Sequence, residues 1–238
     1  MPVDKDVMIE AIDVNKEYRR AGAIIRALID VNVSIKSGDF IIVQGPTGCG
    51  KSTLLNVLSG LDLPDSGKVI LDGENIARSK EDRLAKIRRQ KVGMVFQEFN
   101  LIPTLTALED VESALWPTVL SSKEIENRAI ASLRDVNMLE RKDHYPSQMS
   151  GGEKQRVALA RAIVVKPRVI FGDEVTGNLD PEAEKDVMEL LAKINKDYET
   201  TMVIVTHRET VSKYGDRIIK MADGRIVKQK FFFYFLFF

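Results

Sequence analysis

Phe40-Ile41-Ile42-Val43-Gln44-Gly45-Pro46-Thr47-Gly48-Cys49-Gly50-Lys51-Ser52-Thr53-Leu54-Leu55 is the stretch on which the reading of this chain turns. Phe40 to Val43 is an unbroken apolar run, the pattern of a strand buried on both faces. Leu54, Leu55, Val57 and Leu58 continue as a helix. Between them, Gly45 to Ser52 spells G-x-x-x-x-G-K-S. Glycines there let successive backbone N–H groups turn inward and ring an anion, and the following helix start adds partial positive charge. Lys51 is placed to reach the β and γ phosphates of a nucleotide, and the Ser52 hydroxyl to coordinate Mg²⁺. The expectation is an ATP site with Mg²⁺, built from Gly45, Pro46, Thr47, Gly48, Cys49, Gly50, Lys51, Ser52 and Thr53. Cys49, near Lys51 and a helix start, is expected to favour the thiolate and to react with maleimide.

Upstream, Ile29, Val31, Val33 and Ile35 alternate with polar residues, so a half-buried strand precedes the loop. Downstream, Asp65-Ser66-Gly67 and Asp72-Gly73 bracket a short strand over Lys68 to Leu71, and Val92 to Phe96 reads as another. From about Leu105 to Val165 the pattern is mainly helical. Val169 to Phe171 and Val203 to Val205 are buried strands, with a helix between them whose apolar face carries Val187, Leu190, Leu191 and Ile194. Ile218-Ile219 and Ile226-Val227 form a closing hairpin through Asp223-Gly224. Strands alternating with helices predict an α/β fold with a mainly parallel sheet.

Composition narrows the function classes. The chain has 238 residues, 44% hydrophobic and 29% charged, which suits a globular core. Lys plus Arg equals Asp plus Glu at 35 each, which argues against a nucleic-acid binder held by phosphate neutralisation. A single cysteine forbids an intrachain disulfide and suits a reducing compartment. The start of the chain shows no apolar leader. Phe231 to Phe238 reads FFFYFLFF, too short to cross a bilayer as a helix, and is expected to be an unpacked tail.

Asp173 and Glu174 follow the apolar strand Val169 to Phe171. Ligands of α/β sheets bind beyond the carboxyl ends of strands, so Asp173 is a candidate for holding Mg²⁺ and Glu174 for polarising an attacking water. Ser150-Gly151-Gly152-Glu153 opens another helix, a capped anion site without a phosphate lysine of its own.

Ser150-Gly151-Gly152-Glu153 followed by Lys154-Gln155-Arg156 resembles the signature motif of ATP-binding-cassette proteins. The likeness covers residues 8 to 228, with the motifs in family order. It implies a P-loop NTPase core, an N-terminal antiparallel β part and a helical insertion lobe. Residues 1–230 would form a single ATPase domain, with the core at about 1–96 and 166–230 and the lobe at about 97–165. The resemblance places Tyr18 against adenine, Gln97 at the Q-loop beside the metal, and His207 at the γ-phosphate. It places Gly177 to Asp180 in a loop crossing a dimer interface. The implied catalytic set is Lys51, Gln97, Glu174 and His207, and the implied metal set is Ser52, Gln97 and Asp173. Ser150, Gly151, Gly152, Glu153 and Asp180 would serve the nucleotide of a second copy, in a homodimer closed head to tail around ATP.

Phe99 to Glu109 and Thr176 to Asp180 look like the ATPases of lipoprotein-release, macrolide-export and cell-division systems. Such a subunit would be cytoplasmic, peripheral on the inner face of the membrane, and would meet a membrane permease through Gln97 and the lobe, with Phe99, Leu101 and Leu105 lining a groove. The rivals are a cell-division regulator and a soluble cassette ATPase acting on DNA or ribosomes. Val175 stands where the family usually has proline, which questions the rigidity of the turn holding Glu174.

Overall fold

The computed structural model describes residues 6–20 and 22–231; Phe232 to Phe238 of the apolar tail lie outside the described residues. Two sheets organise it. The first contains β1 (Val7–Arg20), β2 (Ala23–Lys36), β4 (Ser66–Leu71) and β5 (Glu74–Asn75), antiparallel in the order β2-β1-β4-β5. The second runs β10-β9-β3-β8-β7-β6, from β3 (Phe40–Gln44), β6 (Val92–Phe96), β7 (Val169–Asp173), β8 (Thr201–Thr206), β9 (Arg217–Ala222) and β10 (Arg225–Phe231). All its pairings are parallel except β10 with β9. The expected α/β class, parallel core and antiparallel N-terminal part are all present.

β3 is buried throughout because each face meets a different layer. Ile41 and Val43 pack with Leu54, Leu55, Val57 and Leu58 of helix α1 (Lys51–Ser59) and with the antiparallel sheet. Phe40 and Ile42 pack into the other cluster, with Val187, Leu190, Leu191 and Ile194 of α6 (Pro181–Tyr198). A continuous apolar run is what two-sided burial requires. β2, covered on one face only, keeps its alternation: Val31, Val33 and Ile35 are buried and their neighbours exposed.

The expected helical stretch resolves into α3 (Ala107–Ser113), α4 (Ser122–Asp135) and α5 (Gly151–Ile163), with short 3₁₀ turns between α4 and α5. Capping boxes start all three: Thr106 with Glu109, Ser121 with Glu124, and Ser150 with Glu153. Helix α2 (Glu81–Lys91), with only Leu84 and Ile87 buried, was not read from the sequence, because a charged helix with so small an apolar face leaves little periodicity. The hairpin turn at Asp223-Gly224 has positive φ at both residues, the geometry that tightens two strands. β10 reaches Phe231, opposite Arg217 and with its ring 5.2 Å from that guanidinium, so the ordered strand runs one residue past the expected start of the tail.

Register explains where chemistry collects. Phe96 lies opposite Asp173, Asp173 opposite Val205, and Gln44 opposite Thr206. The residues that leave these strands, Gly45, Gln97, Glu174 and His207, therefore emerge along one edge of the parallel sheet.

Candidate functional site

A cleft of about 490 Å³ opens at that edge, lined by Tyr18, Thr47, Gly48, Gly50, Lys51, Ser52, Thr53, Gln97, Glu174 and His207. The volume lies within the roughly 300–1,000 Å³ common for small-molecule sites. Gly50 carries φ of 102° at the start of α1, and a Cβ there would come within 2.3 Å of the Ala27 carbonyl oxygen. Gly45 is equally constrained: a Cβ would meet the Met221 carbonyl oxygen at 2.3 Å and Cys49 Sγ at 2.7 Å. Lys51 is buried, with Nζ donating to the carbonyls of Gly45 at 2.8 Å and Pro46 at 3.0 Å.

The Ser52 hydroxyl donates to Asp173 Oδ1 at 3.1 Å. Burial is the chief cause that raises the Asp173 carboxyl above its usual range, and the hydrogen bond from Ser52 opposes it. Glu174 sits in the left-handed region with φ of 49°. Its N–H donates to the Val205 carbonyl at 3.0 Å and its carbonyl accepts from Gly177. Val175 is buried against Gly172, where a Cβ would lie 2.5 Å from its Cγ1. A packed side chain thus fixes the turn that proline was expected to fix. His207 Nδ1 lies 3.0 Å from Glu174 Oε1 and 2.9 Å from Oε2. Tyr18 donates its hydroxyl to Asp62 at 2.8 Å, and Lys16 Nζ lies 5.3 Å from its ring, so the ring is held in place. Burial first, then the bond to Asp62, raises the Tyr18 phenol.

Some expected residues are elsewhere. Cys49 is 5% exposed and packs in the core beside α1, with its N–H on the Pro46 carbonyl at 3.3 Å. The expected reagent-accessible thiol is corrected: the absence of a side chain at Gly45 is what lets the sulfur turn inward. Ser150, Gly151, Gly152 and Asp180 line a separate concavity with Asn178 and Leu179. Asp180 caps α6, accepting from the N–H groups of Glu182 and Ala183. Glu153 turns back to accept from Ser150 N–H at 2.8 Å and pairs with Arg141 at 3.3 Å. Phe99 and Leu101 are half-buried, packed against the core below the lobe, and Trp116 of the lobe is exposed. A groove beside the lobe is lined by Arg88, Arg89, Met94, Phe96, Ala114 and Arg161, among others.

Asn178, which the resemblance placed in the loop of Gly177 to Asp180, pairs reciprocally with Gln97, a contact the sequence reading did not include: Gln97 Nε2 donates to Asn178 Oδ1 and Asn178 Nδ2 donates to the Gln97 carbonyl, both at 3.2 Å. No spacing signal marks a contact across 81 residues.

A strand, a glycine-rich loop, a lysine at the helix start and acids at the ends of neighbouring strands define a nucleotide-binding protein of the P-loop type. Residues 28–177 match the sequence model of the ABC transporter family. An uncharacterized ABC transporter ATP-binding protein of Methanocaldococcus jannaschii, MJ0796, is 44% identical over 227 residues, covering 94% of this chain and 97% of that protein. The macrolide export ATP-binding/permease protein MacB of Chlorobaculum tepidum is 39% identical over 94% of this chain, which spans only 34% of MacB. A dimeric, post-hydrolysis structure of the MJ0796 cassette bound to ADP and Pi superposes with a TM-score of 0.87 at 41% identity, covering 94% of this chain and 98% of that one. The chain belongs to the ABC transporter family and is an ATP-binding-cassette ATPase. Among the described residues, no helix is long and apolar enough to cross a membrane.

Proposed function

We propose that this chain hydrolyses ATP in the Lys51 cleft and, as a homodimer, drives a membrane permease from the cytoplasmic face. One observation carries the reading: Tyr18, Lys51, Ser52, Gln97, Glu174 and His207 share a single cleft. Tyr18 offers its ring to the adenine base. Gly45 to Thr53 surround the phosphates, with Lys51 exchanging loop carbonyls for phosphate oxygens. Ser52, Asp173 and Gln97 would hold Mg²⁺; a hydroxyl, a carboxylate and an amide are the oxygen donors this ion takes alongside phosphates, and Ser52 and Asp173 already touch. Mg²⁺ supplies neutralisation of phosphate charge. Glu174 orients the attacking water and accepts its proton, and His207 holds that carboxylate in place.

Ser150, Gly151, Gly152 and Asp180 line a separate concavity whose first helical turn Glu153 completes, and we assign these five residues to the nucleotide of a second protomer. Support for that comes from the dimeric state of the similar MJ0796 cassette. The fusion of a related cassette to a permease in MacB supports a membrane partner, received at the surface of Gln97 and the helical lobe. We read residues 1–230 as one domain, since a single apolar cluster joins α3, α4 and α5 to the parallel sheet.

Glu174→Gln tests the reading. ATP hydrolysis should fall by about 10²–10⁴-fold while ATP still binds, and the variant should run as a dimer on size exclusion with ATP. Hydrolysis at the unchanged rate would refute the role of Glu174.

A further inference from the structure

The loop bearing His207 leaves β8 with no regular structure of its own until the 3₁₀ turn at Glu209. His207 is exposed, its side chain 54% accessible, and its position depends on what anchors the residues around it. Its neighbour Arg208 donates one guanidinium nitrogen to the Glu184 carboxylate and another to the Gly177 carbonyl, at 3.1 Å. The same Glu184 carboxylate accepts from Thr210 at 2.6 Å and from Thr176 at 3.2 Å. Glu184 is buried on the first turns of α6, so a charge withdrawn from water is fully engaged. Gln44 supplies the other anchor, donating to the Arg208 carbonyl at 3.1 Å.

Thr176 and Gly177 follow Glu174 across Val175, and Arg208 and Thr210 follow His207. We propose that Glu184 and Arg208 are positioning residues: together they lock the turn after Glu174 to the loop of His207, and so hold the imidazole against the carboxylate. The inference rests on the reading of Glu174 and His207 as the hydrolytic pair. Neither Glu184 nor Arg208 lines the nucleotide cleft, so they act through others. The pair also joins the cleft to the concavity of Ser150, Asn178 and Asp180, because residues 174 to 180 run from one to the other.

The experiment compares Glu184→Gln, Arg208→Ala and the double variant. Misplacement of a reacting group by about 1 Å costs on the order of 10²-fold. Each single variant should lose roughly tenfold to 10²-fold in kcat with ATP affinity retained, and the double variant little more than the worse single one. Chain-wide there are just two histidines, so ring resonances are readily assigned without nucleotide. In Arg208→Ala the His207 signals should move while those of His144, bonded to Arg141, stay. Melting curves establish that each variant is folded at the assay temperature. Unchanged kcat in the folded variants, unmoved His207 resonances, or full additivity of the two substitutions would each overturn the proposal. If Glu174→Gln abolishes hydrolysis and Arg208→Ala does not, the clamp alone fails. If Glu174→Gln is itself active, the hydrolytic reading fails first.

Discussion

Helices α1 and α5 both begin at glycine-rich loops, yet their first turns are finished in opposite ways. At α1, Gly50 occupies the N-cap in the left-handed region, no side chain caps the turn, and no acid lies in it. At α5, Ser150 is extended, its hydroxyl accepts from Glu153 N–H, and Glu153 returns to Ser150 N–H. Every helix start leaves N–H groups without an intrahelical acceptor. One of these starts carries its acceptors in its own sequence; the other is assembled by glycines, with Lys51 beside it, for an acceptor that comes from outside. The first arrangement satisfies its own N–H groups within one chain, and the second leaves them open, as the proposed phosphate site requires.

The sharpest way to break this contrast is Gly50→Ala. The strain of φ at 102° costs about 1–3 kcal/mol, and the approach to the Ala27 carbonyl adds to it. ATP binding, followed by titration of a fluorescent analogue, should fall at least about tenfold, because about 1.4 kcal/mol lost from loop geometry is already that much. An alanine variant with normal ATP affinity would show that the loop is not held by that glycine.

Ser150→Ala should act on stability instead. Loss of an N-cap costs about 1 kcal/mol, seen as a lower Tm, while ATP binding to the isolated protomer stays unchanged. The cap is also acid-sensitive. The hydrogen bond from Ser150 N–H holds the Glu153 carboxyl below its usual 4.5, so the folded value is depressed relative to the unfolded one. Its contribution is present above the unfolded value and fades as pH falls through the folded value, so the Tm gap between wild type and a Glu153→Ala variant, which lacks the titrating group, should narrow there. A gap independent of pH would mean that Glu153 contributes nothing to the cap.

The smallest effect is expected from Gly151→Ala, the counterpart of Gly50→Ala. A Cβ there meets the tip of Leu179 at 3.3 Å, with the Asn178 carbonyl oxygen and the Phe99 ring at ordinary contact distances of 3.7 and 3.8 Å, and its φ is not positive. Stability of the protomer should change by less than about 1 kcal/mol in thermal melts. A large loss would show that the two glycine starts are constrained alike.

Much of this was legible along the chain. The apolar run at Phe40 and the loop to Ser52 were readable because two-sided burial and phosphate binding each impose a local pattern. The Ser150 cap was readable because its partner lies within the same turn. The location of Cys49 was not, since the direction of its side chain depends on Gly45 and on the Met221 backbone far downstream. Nor was the packing of Phe99 and Leu101 against the core, because an apolar residue reads the same whether it faces a partner or a core.

By itself the sequence determined the α/β class, the phosphate loop and the line of candidate residues, since backbone periodicity and motif chemistry act over a few residues. Only the tertiary structure decided which of them meet. The parallel register puts Gln97, Glu174 and His207 on one edge, the core takes Cys49 away from the cleft, and Arg208 finds Glu184 across 24 residues. Those outcomes depend on packing between segments distant in sequence, and no local signal carries the geometry of a contact made only when the whole sheet has closed.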